Sequence, residues 1–428
     1  MKKCKGYRLA VLTVGMVLCL AGCGRNSSGE QPEAATVQTE APLMIQGQIL
    51  DGNTRELTLN ALTQEEAALL EKFSQLTYID ARECDEPALL ARLQRSLPQC
   101  RVDYLVTVGD QTVAGDCTEI RISGADLEEA ARKLPWLPGL VSVKVDGSGL
   151  DNEQVYALQQ LCPEAIFQWE VSLLGITADS TSKELDLSGI EMENVSQVEE
   201  NLKYFPQLEK VIMCDCGISS EEMDALWKRN PQVRFVWNIR VAGHKIRTDV
   251  TTFMPFQLGF SGGKRLSDGQ CGELKYLVDV VCMDLGHMNI QDISFVSYMP
   301  NLEYLLLCGN SIRDISPLAG LEKLKYLEGF ANSVKDISPL AQCPALEDVN
   351  FCYNPIEDLS PLFELENLNN IWLSGWMLDK DQLEQLQEVH KDAKIVLDSP
   401  RSTGAGWRDL PNYFAQRDLL GMFYMTTD

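Results

Sequence analysis

A nine-residue phrase occurs three times at a fixed interval of 22 residues, and a chain that repeats this way can fold only as a stack. Asn310-Ser311-Ile312-Arg313-Asp314-Ile315-Ser316-Pro317-Leu318 recurs as Asn332 to Leu340 and as Asn354 to Leu362, with a worn copy at Ile290 to Val296. A unit this short cannot bury a core alone, so consecutive units must stack and share one. Such an array offers a long surface rather than a deep pocket, which favours binding over catalysis.

Between the phrases lie Leu302-x-x-Leu305-x-Leu307, Leu324-x-x-Leu327-x-Gly329, Leu346-x-x-Val349-x-Phe351 and Leu368-x-x-Ile371-x-Leu373. Successive strand residues face opposite ways, so the last two positions of each spacing point into the core. Gly329 breaks this series and leaves a void for Phe351 or Phe330 to fill. Together these positions resemble the leucine-rich repeat, and the Asn-x-Ile-x-Asp-Ile-x-Pro-Leu version is similar to internalin-type repeats of bacterial surface proteins. The resemblance covers residues 276–397. It implies an α/β solenoid with a parallel sheet on the concave face and helices or 3-10 turns on the convex face. It also implies that Asn310, Asn332 and Asn354 stack as a ladder bonded to backbone, with Met288 at that position in the first copy. Pro317, Pro339 and Pro361 fix φ on the return path, where no ladder donor is needed.

Residues 46–250 contain a weaker repeat of about 65 residues, three copies long. Each opens on a short strand (Glu56–Leu59, Glu119–Ile122, Glu184–Leu187) and returns to Leu-x-x-Ile/Val spacing at Leu76, Leu140 and Leu208. Each ends in an alternating strand at Val102–Val108, Phe167–Leu173 or Phe235–Val241. Period two with aromatic and β-branched residues predicts a strand throughout. Thr63-x-x-Glu66 and Ser219-x-x-Glu222 have capping-box spacing and predict helix starts between the strands. Three free-standing domains would each be very small to hold a core. One helix-bearing array, continuous with the C-terminal repeats through residues 251–275, is the expectation. Asp379 starts a last helix and Ala393–Leu397 forms a last strand, after which residues 398–428 fold back as a cap over the open end.

The N-terminus carries Lys2, Lys3, Lys5 and Arg8 before the apolar run Leu9–Leu20, the layout of a secretory signal over residues 1–22. Leu20-Ala21-Gly22-Cys23 looks like a lipobox, so Cys23 is the expected lipidation site. Residues 23–45 then form a lipidated tether; at about 5–6 Å × √n its flexible part reaches on the order of 25 Å. The expected location is the extracytoplasmic face of a cell membrane.

Catalytic, cofactor and metal signatures are missing from the pattern. His244, His287 and His390 sit in no metalloprotease spacing, and each reads as a surface or turn histidine. Asp146-Gly147-Ser148-Gly149-Leu150-Asp151 lacks the alternating ligands of a calcium loop and reads as a turn into a helix cap. The chain has fourteen cysteines; Cys100 and Cys117 flank a hairpin and are the candidate disulfide, while Cys308 and Cys352 lie two repeats apart, too far to join. Loss of residues 1–22, with Lys2, Lys3, Lys5 and Arg8, takes the formal charge from −25 to about −29. Charge of that sign excludes nucleic acid and anionic lipid as electrostatic partners.

The expected function is recognition of a protein, peptide or glycan; the alternative is a structural or self-assembling envelope protein without a soluble ligand. The expected contact residues alternate with the core residues: Tyr304, Leu306, Tyr326, Glu328, Phe330, Asn350 and Trp372, beside Asp348 and Asn370. Large apolar side chains in one exposed column are enriched at interfaces. Cover by the C-terminal cap is the competing account of the same column.

Overall fold

The computed structural model describes residues 43–261, 263–375, 378–399 and 401–422. The leader, Cys23 and the tether up to residue 42 lie outside the described residues.

The 22-residue units build one parallel sheet. Its seven strands run in chain order: Thr252–Phe253, Cys282–Asp284, Tyr304–Leu306, Tyr326–Glu328, Asp348–Asn350, Asn370–Leu373 and Lys394–Leu397. The register never slips, so Met283, Leu305, Leu327, Val349 and Ile371 form one row, each fully buried. The sheet therefore starts inside the segment expected to be a mere transition. Opposite it, the 3-10 turns Ser294–Tyr298, Ser316–Leu318, Ser338–Gln342 and Ser360–Leu362 close each coil. Each Asp of the repeated phrase stabilises its turn: Asp314 Oδ1 accepts from Ser316 N at 2.8 Å, Asp336 from Ser338 N at 2.8 Å, and Asp358 from Ser360 N at 2.9 Å. Those bonds favour the ionised form and hold all three carboxyls below the usual range.

The asparagine ladder is present. Asn332 Nδ2 donates to Leu307 O at 2.9 Å and Gly329 O at 3.1 Å, while its Oδ1 accepts from Ile312 N at 3.0 Å. Asn310 and Asn354 repeat the pattern one coil away on either side. Met288 keeps half of it, because its sulfur accepts from Leu266 N at 3.3 Å but it has nothing to donate. At Gly329 a Cβ would sit 2.8 Å from Phe351 Cε1, so the Phe351 ring occupies the void left by the missing leucine.

The three larger modules are built differently from the expectation. Each has a three-stranded parallel sheet: Glu56–Thr58, Tyr78–Asp80 and Arg101–Asp103; Glu119–Ser123, Ser142–Asp146 and Ile166–Gln168; Glu184–Asp186, Lys210–Ile212 and Arg234–Val236. Each alternating strand then breaks at a buried aromatic, Tyr104, Trp169 or Trp237, and its second half turns out into an antiparallel hairpin. Alternation survives the break because both halves bury every second residue, which is why the pattern predicted one strand. The aromatic at the bend is a wedge: Tyr104 Oη donates to Trp136 O at 2.7 Å and Trp237 Nε1 to Ser220 Oγ at 3.1 Å. The sheet of the array is thus interrupted, yet a single hydrophobic core runs from Ile45 to Leu386. Continuity lies in the core and not in the hydrogen-bond ladder.

Helices fill the convex side of the modules, and two of them start at the capping-box spacings read from the sequence. Gln64–Leu70 has Thr63 as N-cap with the reciprocal Glu66 bond, and Ser220–Arg229 is capped by Ser219. Glu222 does not reciprocate; its carboxylate takes Val195 N at 3.3 Å and ties the helix to the preceding coil. Asp151 caps Asn152–Gln159 and Asp379 caps Lys380–Val389. This is a leucine-rich repeat solenoid of mixed α/β type.

Candidate functional site

The column expected to face a partner is covered. Tyr304, Leu306, Tyr326, Glu328, Phe330, Asn350 and Trp372 are all buried, as is Asp348. A segment spanning residues 401–422 lies across them, with the helix Pro411–Leu419 and the short turn Trp407–Asp409. The segment lies along the sheet face rather than over the open end of the array, and this is the competing account of the column, cover by the C-terminal cap. An aromatic column in water is costly, and folding the remaining chain over it removes that apolar area at about 25 cal/mol per Å².

Trp407 is the centre of the cover and is fully buried. Its ring lies 5.2 Å from Tyr326 and 5.2 Å from Trp372, filling the gap between them. Its Nε1 donates to Glu328 Oε2 at 3.0 Å, and the Tyr326 hydroxyl donates to the same oxygen at 2.5 Å. Backbone of the cover meets the polar members of the column: Asn350 Nδ2 donates to Ser402 O at 2.7 Å and Trp372 Nε1 to Gly404 O at 3.0 Å. Asn412 Nδ2 reaches Asp348 Oδ2 at 3.0 Å and Glu347 Oε2 at 2.9 Å.

Three carboxyls end up in this interface, and desolvation raises all of them above the usual carboxylate range. For Glu328 the donors Tyr326 and Trp407 oppose the shift, and for Asp348 the amides of Asn370 and Asn412 do so. For Asp284 the Gly286 N–H opposes it. Burial also raises the Cys308 thiol and the Tyr326 hydroxyl. Between sheet and cover a cavity of about 220 Å³ remains, with Asp284, Leu306 and Glu328 on the sheet side and Arg408, Gln416 and Arg417 on the cover side.

The accessible part of the strand face belongs to the three modules. Glu56, Arg101, Glu119, Arg121, Ile166 and Glu184 are exposed there. Cross-strand and neighbouring pairs lace it, such as Arg101–Asp103 at 2.8 Å and Arg121–Asp146 at 3.2 Å.

Other sequence expectations fare differently. His244 and His287 are exposed, but His390 is buried at the end of its helix with Nε2 2.8 Å from Leu362 O. Cys100 and Cys117 are both free thiols, and so are the other nine cysteines from Cys84 to Cys352. Cys343 sits fully buried in the core, its Sγ 3.2 Å from Leu318 O. Among the described residues no group of three or more His, Cys, Asp or Glu is placed to hold a metal ion. No described helix is long and apolar enough to cross a membrane. Sequence reasoning missed Trp407, Asn412 and Gln416 as partners of the column. The signal was there: Glu328 and Asp348 are acids on a face rich in aromatics and need donors, which Trp407 and Asn412 carry.

No protein-family profile and no curated protein matches the chain. Among solved structures, internalin C2 of Listeria monocytogenes is 23% identical over 50% of this chain and 80% of its own, with a TM-score of 0.27. Internalin F of the same organism is 15% identical over 78% of this chain and 79% of its own, with a TM-score of 0.25. A leucine-rich repeat protein of Leptospira interrogans is 14% identical over 79% and 93%, with a TM-score of 0.30. Superpositions this loose carry no argument about function, and the fold rests on the chain's own geometry. The unbroken parallel register of its seven-stranded sheet, the asparagine ladder and the facing 3-10 turns give it the leucine-rich repeat fold.

Proposed function

We propose that the chain is an extracytoplasmic lipoprotein, held to a membrane through Cys23, that binds a protein or peptide partner on the strand face of residues 46–250. One observation carries the choice of face: the C-terminal column is occupied by the chain's own residues 401–422, whereas the module strands present exposed side chains. Arginines there are enriched at interfaces, and interleaved charges of both signs give orientation and specificity more than raw affinity. The lipobox at Cys23 and the apolar run before it support the anchor.

A photo-crosslinking residue at Arg121, compared with one at Glu322 away from the face, tests the binding surface in intact cells. The reading expects a discrete adduct from position 121 and none from 322; no adduct, or the same adducts from both, would refute it. The anchor has its own test. Cys23→Ala cannot form the thioether, so labelled palmitate should enter the wild type and not the variant. Labelling that persists in Cys23→Ala would place the acyl chains elsewhere.

A further inference from the structure

The cavity between the sheet and residues 401–422 has an imbalance of hydrogen-bonding groups. Asp284 and Glu328 occupy the same register position on strands separated by the Tyr304–Leu306 strand. Their Cα atoms are thus about 9.6 Å apart, two strand spacings, with Leu306 as the floor between them. Asp284 accepts from Gly286 N at 2.8 Å through Oδ1, Tyr326 and Trp407 both donate to Glu328 Oε2, and the Cys308 side chain also bonds the Glu328 carboxyl. The arginines of the cover act on these carboxyls only through space. Independently of the acids, Gln416 on the same cavity is 1% exposed, and its Oε1 has no hydrogen-bond partner. A buried acceptor without a donor is costly, so a native structure that keeps Gln416 Oε1 in that state calls for an explanation. Arg408, exposed on the opposite wall, supplies the complementary charge at the mouth.

We propose that this cavity binds an amino-acid-sized zwitterion, its ammonium seated over Leu306 between Asp284, Glu328 and Gln416 Oε1, its carboxylate against Arg408. An ammonium brings three donors and no acceptor, which suits two carboxyls and the unpartnered Gln416 Oε1, and charge-assisted bonds to carboxylates are the strong ones. A guanidinium at the mouth matches a carboxylate in planar, bidentate geometry. Size agrees: at about 220 Å³ the space is below the roughly 300–1,000 Å³ of drug-sized ligand sites. Because sheet and cover each supply part of the wall, occupation would also fasten the cover to the sheet. This reading is independent of the partner proposed for residues 46–250.

The test is calorimetric titration of the purified full chain with each standard L-amino acid, up to about ten times a millimolar Kd. The best binder is then compared with its N-acetyl derivative and with the amine that lacks its carboxylate. The expected results are saturable binding by at least one amino acid and at least a tenfold loss on N-acetylation. Glu328→Gln, which keeps an oxygen for Trp407 and Tyr326, should also weaken binding at least tenfold. Arg408→Ala, at an exposed position, should weaken the amino acid and leave the plain amine unchanged. A cavity that holds only water would give no saturable heat with any of them. That result, or equal affinity for the N-acetyl derivative, or equal affinity of wild type and Glu328→Gln, would overturn the proposal.

Discussion

Replacing Trp407 with alanine should release residues 401–422 from the sheet and leave the repeats folded. The core of the solenoid and the cluster under the cover lie on opposite faces of the same sheet, and Trp407 belongs only to the second. Truncating a fully buried tryptophan costs about 3–5 kcal/mol in transfer and cavity terms. Loss of its indole donor takes one bond from the buried Glu328 carboxyl, which adds about 1 kcal/mol or more. At 1.4 kcal/mol per power of ten, the docking equilibrium should fall by about three to four powers of ten. Once undocked, the nine-residue helix Pro411–Leu419 is too short to persist in water, where helices below about 12–15 residues are marginal. Amide hydrogen exchange by mass spectrometry reads this directly. In Trp407→Ala the peptides covering 407–420 should exchange as fast as unfolded chain. Peptides over Leu305, Leu327, Val349 and Ile371 should keep wild-type protection. Unchanged protection over 407–420 would refute the energetic argument, and equal loss throughout the repeats would show that the two clusters are one cooperative unit.

The interface acids give a pH dependence with a definite sign. Glu328, Asp348 and Asp284 are raised by burial, so the folded state holds more protons than the unfolded chain. Docking should be tightest near or below the unfolded values of about 4 and weaken as pH rises through the folded ones. Protease cleavage within 401–422 should therefore be faster at about pH 8 than at about pH 5, and Glu328→Gln should flatten that difference. Gly329→Ala puts a Cβ 2.8 Å from Phe351 Cε1 and should destabilise by about 1–3 kcal/mol in chemical denaturation. Phe351→Leu should recover part of that loss, since a smaller side chain makes the missing space. Asn332→Ala strands Leu307 O, Gly329 O and Ile312 N at one step of the ladder and should cost about 3 kcal/mol or more. The same change at the equivalent Met288 should cost far less, because only one bond to Leu266 N is at stake.

The fold was readable where the repeat was literal. Leu305, Val349 and Ile371 had to share a row because their spacing is identical, and the asparagines had to align for the same reason. The three modules were harder, because a strand that bends out of its sheet at Tyr104, Trp169 or Trp237 still buries every second residue. Periodicity reports which side faces the core; it says nothing about which neighbour supplies the hydrogen bonds. The candidate site failed for a related reason. Tyr326, Glu328 and Trp372 were placed on the outward face, and they are on it, but that face is buried by residues far along the chain. Glu328 was the informative residue, since an acid between aromatics is either a contact for a partner or already partnered from within. Trp407 falls in the segment 398–428 expected to form a cap, yet without a register for that segment its indole could not be assigned to that acid.

The interrupted ladder bears on how such a chain can change length. Within the seven-stranded sheet, an insertion must be a whole 22-residue coil that restores an asparagine to its step, or the backbone pairing on both sides is lost. The modules are under no such obligation, because each sheet ends at its own hairpin and meets the next through side chains rather than through a backbone ladder. Duplicating or deleting one of them re-forms an apolar contact without asking any strand to find a new partner. The chain thus joins a part whose span is quantised and tightly indexed to a part that can be extended by whole blocks, with the hairpins as the seams.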